Sequence, residues 1–335
     1  MMKRLIIVAA LTAIACASLR ADPLAHTFSI VARDPATGEM GVAVQSHWFS
    51  VGSLVTWAEA GVGAVATQSI VEASFGPRGL DLMRAGSSAP AALQELISGD
   101  ANEAVRQVAL VDAGGRVAVH TGRRCIANAG HAVAEQVSAQ ANMMERETVP
   151  PAMLDAYARA SGRPLAERLL AALEAAEGEG GDIRGRQSAA MVVVAARASG
   201  SPGDDRPVDL RVDDHPDPVG ELRRLLGLRL AYTRATAGDE LAGAGDLEGA
   251  LVEYEAAYRA QPDNLELAFW YALALAGIGR EDEAERMLRV PFEANPGWLE
   301  LLKRLPDAGL IPDDPELIGR LTGTRATREP EQPPT

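Results

Sequence analysis

The chain is predicted to be α+β: a domain of antiparallel sheets and helices, followed by an all-α array of helical hairpins. Three observations predict it. Between Thr27 and Val212, strand-length apolar runs and amphipathic helix-length runs come in blocks: strands, helices, strands, helices, strands. Glycine-bearing turns join strand runs directly, as hairpins require. From about Arg229 strand runs cease and a fixed spacing sets in. Segregated blocks of this kind favour a sheet sandwich flanked by helices over an alternating parallel fold.

The elements follow in order. Residues 1–21 read as a secretory leader, with Lys3 and Arg4 before the apolar run Leu5 to Ala15 and small residues after it. Cleavage is expected after Ala17 or Ala21. Cys16 offers a lipid anchor as the alternative, although Ala13 stands where a larger aliphatic is usual. The segment 27–46 alternates Phe28, Ile30 and Ala32 with Thr27, Ser29 and Val31. It then turns at Asp34-Pro35-Ala36-Thr37-Gly38 into a second apolar run, which makes a hairpin. Residues 61–67 read as a buried strand, and Gly76-Pro77-Arg78-Gly79 as a break before helices at 80–85 and 89–97. Residues 107–112 and 116–121 flank Ala113-Gly114-Gly115, a second hairpin. One strand is expected over 131–142, helices over 153–160 and 165–176, and strands over 188–196 and 208–212. A helix is expected to begin at Pro218, with Asp217 as its cap.

In the helical part Gly245, Ala250 and Pro262 recur as Gly279, Ala284 and Pro296, each offset by 34 (279−245, 284−250, 296−262). Tyr254 and Ala257 fit the first copy. Pro291 replaces the alanine in the second, so that helix is expected to break early. Residues 299–305 would cap the array. The tail 323–335, rich in Thr, Pro and Glu, reads as disordered. The expected organisation is thus a leader at 1–21, an α/β domain at 26–228, helical repeats at 229–305 and the tail.

Composition narrows the function. The net charge is −14 and no basic stripe is present, which argues against a nucleic-acid partner. No stretch is long and apolar enough to be a transmembrane segment. Lys3 and Lys303 are the only lysines, so the α/β region has no lysine base or Schiff-base former. Cys125 stands alone once the leader is gone, which suits a small buried hydrophobe and no disulfide. His47, His120, His131 and His215 are scattered without metal-ligand spacing. The run Asp213-Asp214-His215-Pro216 reads as a turn. The glycines of 178–181 follow no strand and open no helix, so no phosphate loop is expected. Neither a metal nor a cofactor is called for.

Several phrases together carry a resemblance: TFSIVARDPATGEMGVAVQS, WAEAGVGAVATQS, SFGPRGLDLMRAG, VDAGGRVAVHTGRRC, QANM, GRQSAAMVVV and VDLRVDDHPDPVGELRRLL. Over roughly residues 27–230 the chain resembles the family known as domain of unknown function 1028, and the 34-residue array resembles tetratricopeptide repeats. Ala141 departs from the glycine usual in the QANM phrase. That family is similar to the N-terminal-nucleophile (Ntn) hydrolases. The resemblance therefore implies a four-layer αββα sandwich and a nucleophile at the first residue of the first strand.

Here that residue is Thr27. A free α-amine titrates near about 8, so it can act as general base for its own side-chain hydroxyl. Thr27 follows Asp22-Pro23-Leu24-Ala25-His26, so a cut at His26–Thr27 is needed to free that amine. Without the cut, Thr27 is a strand residue of high β propensity. Ser46 ends the second strand, where it either bonds near the Thr27 amine or starts a turn. Gln68 ends the third, as an oxyanion donor or a polar strand end. Asn142 of the QANM phrase is the stronger oxyanion candidate. Asp182 and Arg184 lie in a glycine-rich loop able to cover a substrate, or simply mobile. The expectation is an exported amidohydrolase, periplasmic or extracellular, acting on a small amide or peptide. The alternative is a non-catalytic module that binds a protein partner through its repeats. Two repeats are fewer than the three usually needed to stand alone, so the array is expected to pack on the first domain or to form a homo-oligomer.

Overall fold

The computed structural model describes residues 24–25 and 27–323; the expected leader, Cys16, His26 and the tail beyond 323 lie outside the described residues. The first domain opens with β1 (Leu24–Ala25), β2 (Thr27–Arg33) and β3 (Met40–Ser46), a short α1 (Gly52–Val55), β4 (Thr56–Glu59) and β5 (Gly63–Ile70). Helices α2 (Phe75–Arg84) and α3 (Ala89–Ser98) precede β6 (Arg106–Asp112), β7 (Val117–Thr121), β8 (Gly130–Ala134) and β9 (Val137–Ala141). Then come α4 (Val149–Arg159), α5 (Leu165–Gly178), β10 (Ser188–Val194), α6 (Pro202–Asp205) and β11 (Val208–Val212). The remainder is helical: α7 (Pro218–Gly243), α8 (Leu247–Ala260), α9 (Leu265–Gly277), α10 (Glu281–Ala294), α11 (Gly297–Arg304) and α12 (Pro315–Leu321).

The strands form two antiparallel sheets. One has the order β1-β5-β6-β7 with β4 also on β5; the other runs β11-β10-β3-β2-β9-β8. Strand alternation divides their side chains between two faces. On β2, Phe28, Ile30 and Ala32 join a core with Met153, Leu169 and Leu173 of α4 and α5, whereas Val31 faces the other sheet. On β5 and β6, Val65, Val108 and Leu110 pack on α2 and α3, while Ala64, Ala66 and Val111 face inward. Two sheets therefore meet face to face, and helices cover their outer faces.

The turns behave as their residues dictate. Asp34 Oδ1 accepts from the Ala36 and Thr37 N–H groups, at 2.8 and 3.3 Å, and Gly38 takes a φ of 77° to close the β2–β3 hairpin. Asp112 does the same for β6–β7, accepting from Gly114 N at 2.9 Å and Arg116 N at 3.1 Å.

Three expectations are corrected. Gly76-Pro77-Arg78-Gly79 does not break the chain; it forms the first turns of α2. Proline is tolerated there because first-turn N–H groups have no intrahelical partner. Gly76 is required on packing grounds, since a Cβ would fall 2.2 Å from the Trp57 ring. The single strand expected over 131–142 is the hairpin β8–β9, turning at Gln136 with a φ of 61°. Pro291 does not end its helix: α10 runs on to Ala294, because Ala284, Leu288 and Pro291 line one buried face.

Helix α7 spans 26 residues without interruption. Val219, Leu222 and Leu226 belong to the core beneath β10 and β11, and Ala231 and Ala235 to the core of the helical array. One rod thus serves both regions. Within the array Ala250 and Ala284 are buried at the helix contacts, while Gly245 and Gly279 end helices at φ 85° and 81°. The array continues past the expected cap into α12, where Arg320 pairs with Glu281 of α10.

Candidate functional site

At one end of the inter-sheet space the inward positions turn polar. Thr27 opens β2 and stands in register with Ser46 of β3, which in turn pairs with Ser188 of β10. All three are fully buried. Asn142, just beyond β9, donates its backbone N–H to the Thr27 carbonyl at 3.0 Å. Before Thr27 the chain belongs to the other sheet: Leu24 and Ala25 pair with Ile70 and Ser69 of β5. The described residues on either side of position 26 thus belong to different sheets.

The facing sheet supplies amides. Gln68 Nε2 donates toward Gln107 Oε1 at 2.7 Å, Gln140 O at 3.3 Å and the Thr27 carbonyl at 3.4 Å. Its Oε1 accepts from Ser29 Oγ at 2.6 Å. Ser29 accepts from Gln140 Nε2 at 2.6 Å, and Gln140 Oε1 accepts from Ser138 at 2.9 Å. Asn142 Nδ2 donates to Gln107 Oε1 at 2.9 Å. A buried polar group is costly unless bonded, and these bonds largely meet that demand. They also tie the sheets together.

The four residues expected from the sequence, Thr27, Ser46, Gln68 and Asn142, are thus brought to one place. Asp182 and Arg184 are at its edge. The Asp182 carboxylate is buried and accepts from the His47 backbone N–H at 3.2 Å, next to Ser46. Arg184 bonds that carboxylate at 2.6 Å, so the pair closes the loop on itself. Behind it, burial pushes the Glu177 carboxyl above its ordinary range, although Arg186 draws it back. Cys125 is partly buried, and burial raises its thiol pKa, which suits an inert thiol. His120 is held by the Glu103 carbonyl at 2.9 Å. His215 accepts the Asp217 N–H at 3.0 Å, in the expected turn before α7, and Asp217 caps that helix through Gly220 N.

Ser29, Gln107, Ser138 and Gln140 were not expected. Each sits in a strand among alternating apolar residues, where a polar side chain reads as solvent-facing. The one available signal is that the opposite face of those strands is equally apolar.

Two clefts lie elsewhere. One, about 710 Å³, runs between β4 and β10 past Trp57, Glu59, Val192 and Arg206. The other, about 490 Å³, lies among α8, α9 and α10 and is lined by Tyr258, Tyr271 and Met287. None of the four central residues lines either. No described helix is long and apolar enough to cross a membrane.

A domain with this sheet pairing and these sequence phrases is of a recognisable kind. The chain belongs to the family of unknown function DUF1028, whose model matches residues 27–222. A tetratricopeptide-repeat model matches residues 241–305. A crystal structure of a Silicibacter pomeroyi protein of the same family is similar at 35% identity, with a TM-score of 0.54, over 60% of this chain and 88% of that one. No curated protein matches.

Proposed function

We propose that the α/β domain is an Ntn-type amidohydrolase with Thr27 as nucleophile, acting on a small amide or peptide. The observation that carries this reading is the convergence of buried amide and hydroxyl groups on the first residue of a core strand. The layering of helices on two facing sheets agrees with an αββα sandwich of the Ntn kind. Freed by a cut at His26–Thr27, the Thr27 amine takes the proton of its own hydroxyl as the oxygen attacks a carbonyl. An amide N–H then holds the oxyanion; its collapse breaks the C–N bond, the Thr27 ammonium returns the proton to the leaving amine, and a water, deprotonated by the same amine, hydrolyses the acyl ester and restores the Thr27 hydroxyl. Asn142 is the preferred donor, as the residue of the QANM phrase whose backbone N–H also reaches the Thr27 carbonyl. Asp182 and Arg184 shape the rim. The chain acts after export, in a periplasmic or extracellular setting, with Cys16 as a lipid anchor in the alternative processing.

A second reading has its own support. Thr27 is fully buried, and the residues before it are held on β5. A chain left uncut has no reactive amine. It would serve as a binding module, engaging a protein partner through the tetratricopeptide-like helices.

Intact mass and N-terminal sequencing of protein matured in an exporting host separate the two. The hydrolase reading expects a start at Thr27 and loss of all amide turnover in Thr27→Ala. A start at Ser18, Asp22 or a lipidated Cys16, with Thr27→Ala indistinguishable from the parent, overturns it.

A further inference from the structure

Three segments run side by side at the Thr27 end of the six-stranded sheet: 126–128, 142–145 and 181–183. Met143 N donates to the Ile126 carbonyl at 3.1 Å, and Ile183 N to the Met143 carbonyl at 3.2 Å. Glu145 N donates to the Gly181 carbonyl at 3.0 Å, and Met144 and Asp182 form an antiparallel bridge. Asn128 Nδ2 fastens the first segment to the second through the Met144 and Glu145 carbonyls, each at 2.9 Å.

Antiparallel pairing puts opposed residues on one face. Met144 and Asp182 are opposed and both buried. Met143 and Ile183, one position along, face the other way. Ile183 is 64% exposed, Ile126 is 45% exposed and Met143 is half-buried. Met143 also holds a φ of 60°, where glycine would be unstrained, so a side chain is kept there at a conformational cost. These apolar groups adjoin the site. Met143 follows Asn142, whose N–H reaches the Thr27 carbonyl at 3.0 Å. Ile183 follows Asp182, whose carboxylate accepts from the His47 N–H next to Ser46.

Size and charge select what such a surface takes. Three side chains cover far less than the roughly 800 Å² that each partner buries in a stable protein interface. They match one branched-aliphatic or aromatic group. The neighbouring guanidinium groups are already paired, Arg184 with Asp182 and Arg186 with Glu177 and Asp217, so this loop does not favour an anionic group. We propose that Ile126, Met143 and Ile183 are a specificity subsite, which holds a branched-aliphatic or aromatic group beside the scissile bond of a small amide or peptide. The role in specificity rests on Thr27 being the nucleophile; the affinity for an apolar amide does not.

The test uses the full chain with ¹³C-labelled Ile δ1 and Met ε methyls, assigned from Ile126→Val, Met143→Leu and Ile183→Val. Phenylacetamide should shift all three methyls together and saturably, and acetamide at the same concentrations should not. Ile183→Ser should weaken phenylacetamide binding at least about fivefold. Val252→Ser, at a 62% exposed valine on α8, should leave it unchanged. Methyls that stay unmoved, or that respond equally to acetamide, overturn the proposal, as does an unaltered affinity in both Ile183→Ser and Ile126→Ser. Where Thr27-dependent turnover exists, kcat/KM should favour phenylacetamide over acetamide by about tenfold or more, and Ile183→Ser should reduce that preference. Methyl shifts without Thr27-dependent turnover keep the apolar subsite and sink the hydrolase reading. Thr27-dependent turnover with unmoved methyls does the reverse.

Discussion

The space between the two sheets is filled in opposite ways at its two ends. At one end Val31, Met40, Val42, Ala64, Val111 and Val192 close on one another as an ordinary apolar core. At the other, the same strands contribute Thr27, Ser46, Gln68, Gln107 and Ser188, equally buried. The apolar end needs only shape complementarity. The polar end needs every donor matched to an acceptor, and a missing partner costs about 1–3 kcal/mol. Apolar side chains of similar volume would fill that end at no loss of stability. Stability alone therefore does not account for the polar end, which is the physical case for locating function there.

The contrast can be broken most strongly at Gln68. Replacing it with leucine takes the acceptor from the Ser29 O–H and removes one of the two donors on Gln107. Urea unfolding should show a loss of about 3 kcal/mol; a loss below about 1 kcal/mol would mean that the network is not coherent. The converse experiment is Val42→Thr at the apolar end. The shape is kept, but the hydroxyl meets only apolar neighbours, so the expected loss is about 2 kcal/mol. Little or no change would show that this end, too, can house polar groups.

A double-mutant cycle sharpens the comparison. Ser29→Ala and Gln140→Leu should couple by about 1 kcal/mol through their direct bond, whereas either should be additive with a distant change such as Leu288→Ala in the helical array.

The smallest expected effect is that of pH. Partial desolvation and, secondarily, His120 lower the pKa of the exposed His131, whose Nδ1 lies 2.9 Å from Thr121 Oγ1 at the edge of the network. The folded state thus binds this proton less readily than the unfolded chain. Its contribution is present at neutral pH and is lost as pH falls below about 6.5, the ordinary imidazole value. Melting temperature should drop slightly more for the parent than for His131→Asn between about pH 7.5 and about pH 5.5. Equal drops would remove His131 from the account.

The sequence by itself determined which runs are strands and which are helices wherever local chemistry was decisive. Asp34 with Gly38, and Asp112 with Gly115, specify hairpins through bonds made within a few residues. Asp217 caps α7 in the same local way, and the 34-residue spacing declares the helical array. Where a long-range partner decides the outcome, the local signal misleads. Gly76 and Pro77 read as a break, but Trp57 needs a helix without a side chain at Gly76. Pro291 reads as a helix end, but the packing of α10 carries the helix past it.

The site divides in the same way. Thr27, Ser46, Gln68 and Asn142 are visible in the sequence as polar residues at or just beyond strand ends. That they meet, and that Gln107 joins two of them, depends on the register of two sheets facing one another. No strand carries that information alone, because a buried glutamine and a solvated one look the same until the opposite sheet supplies the acceptors.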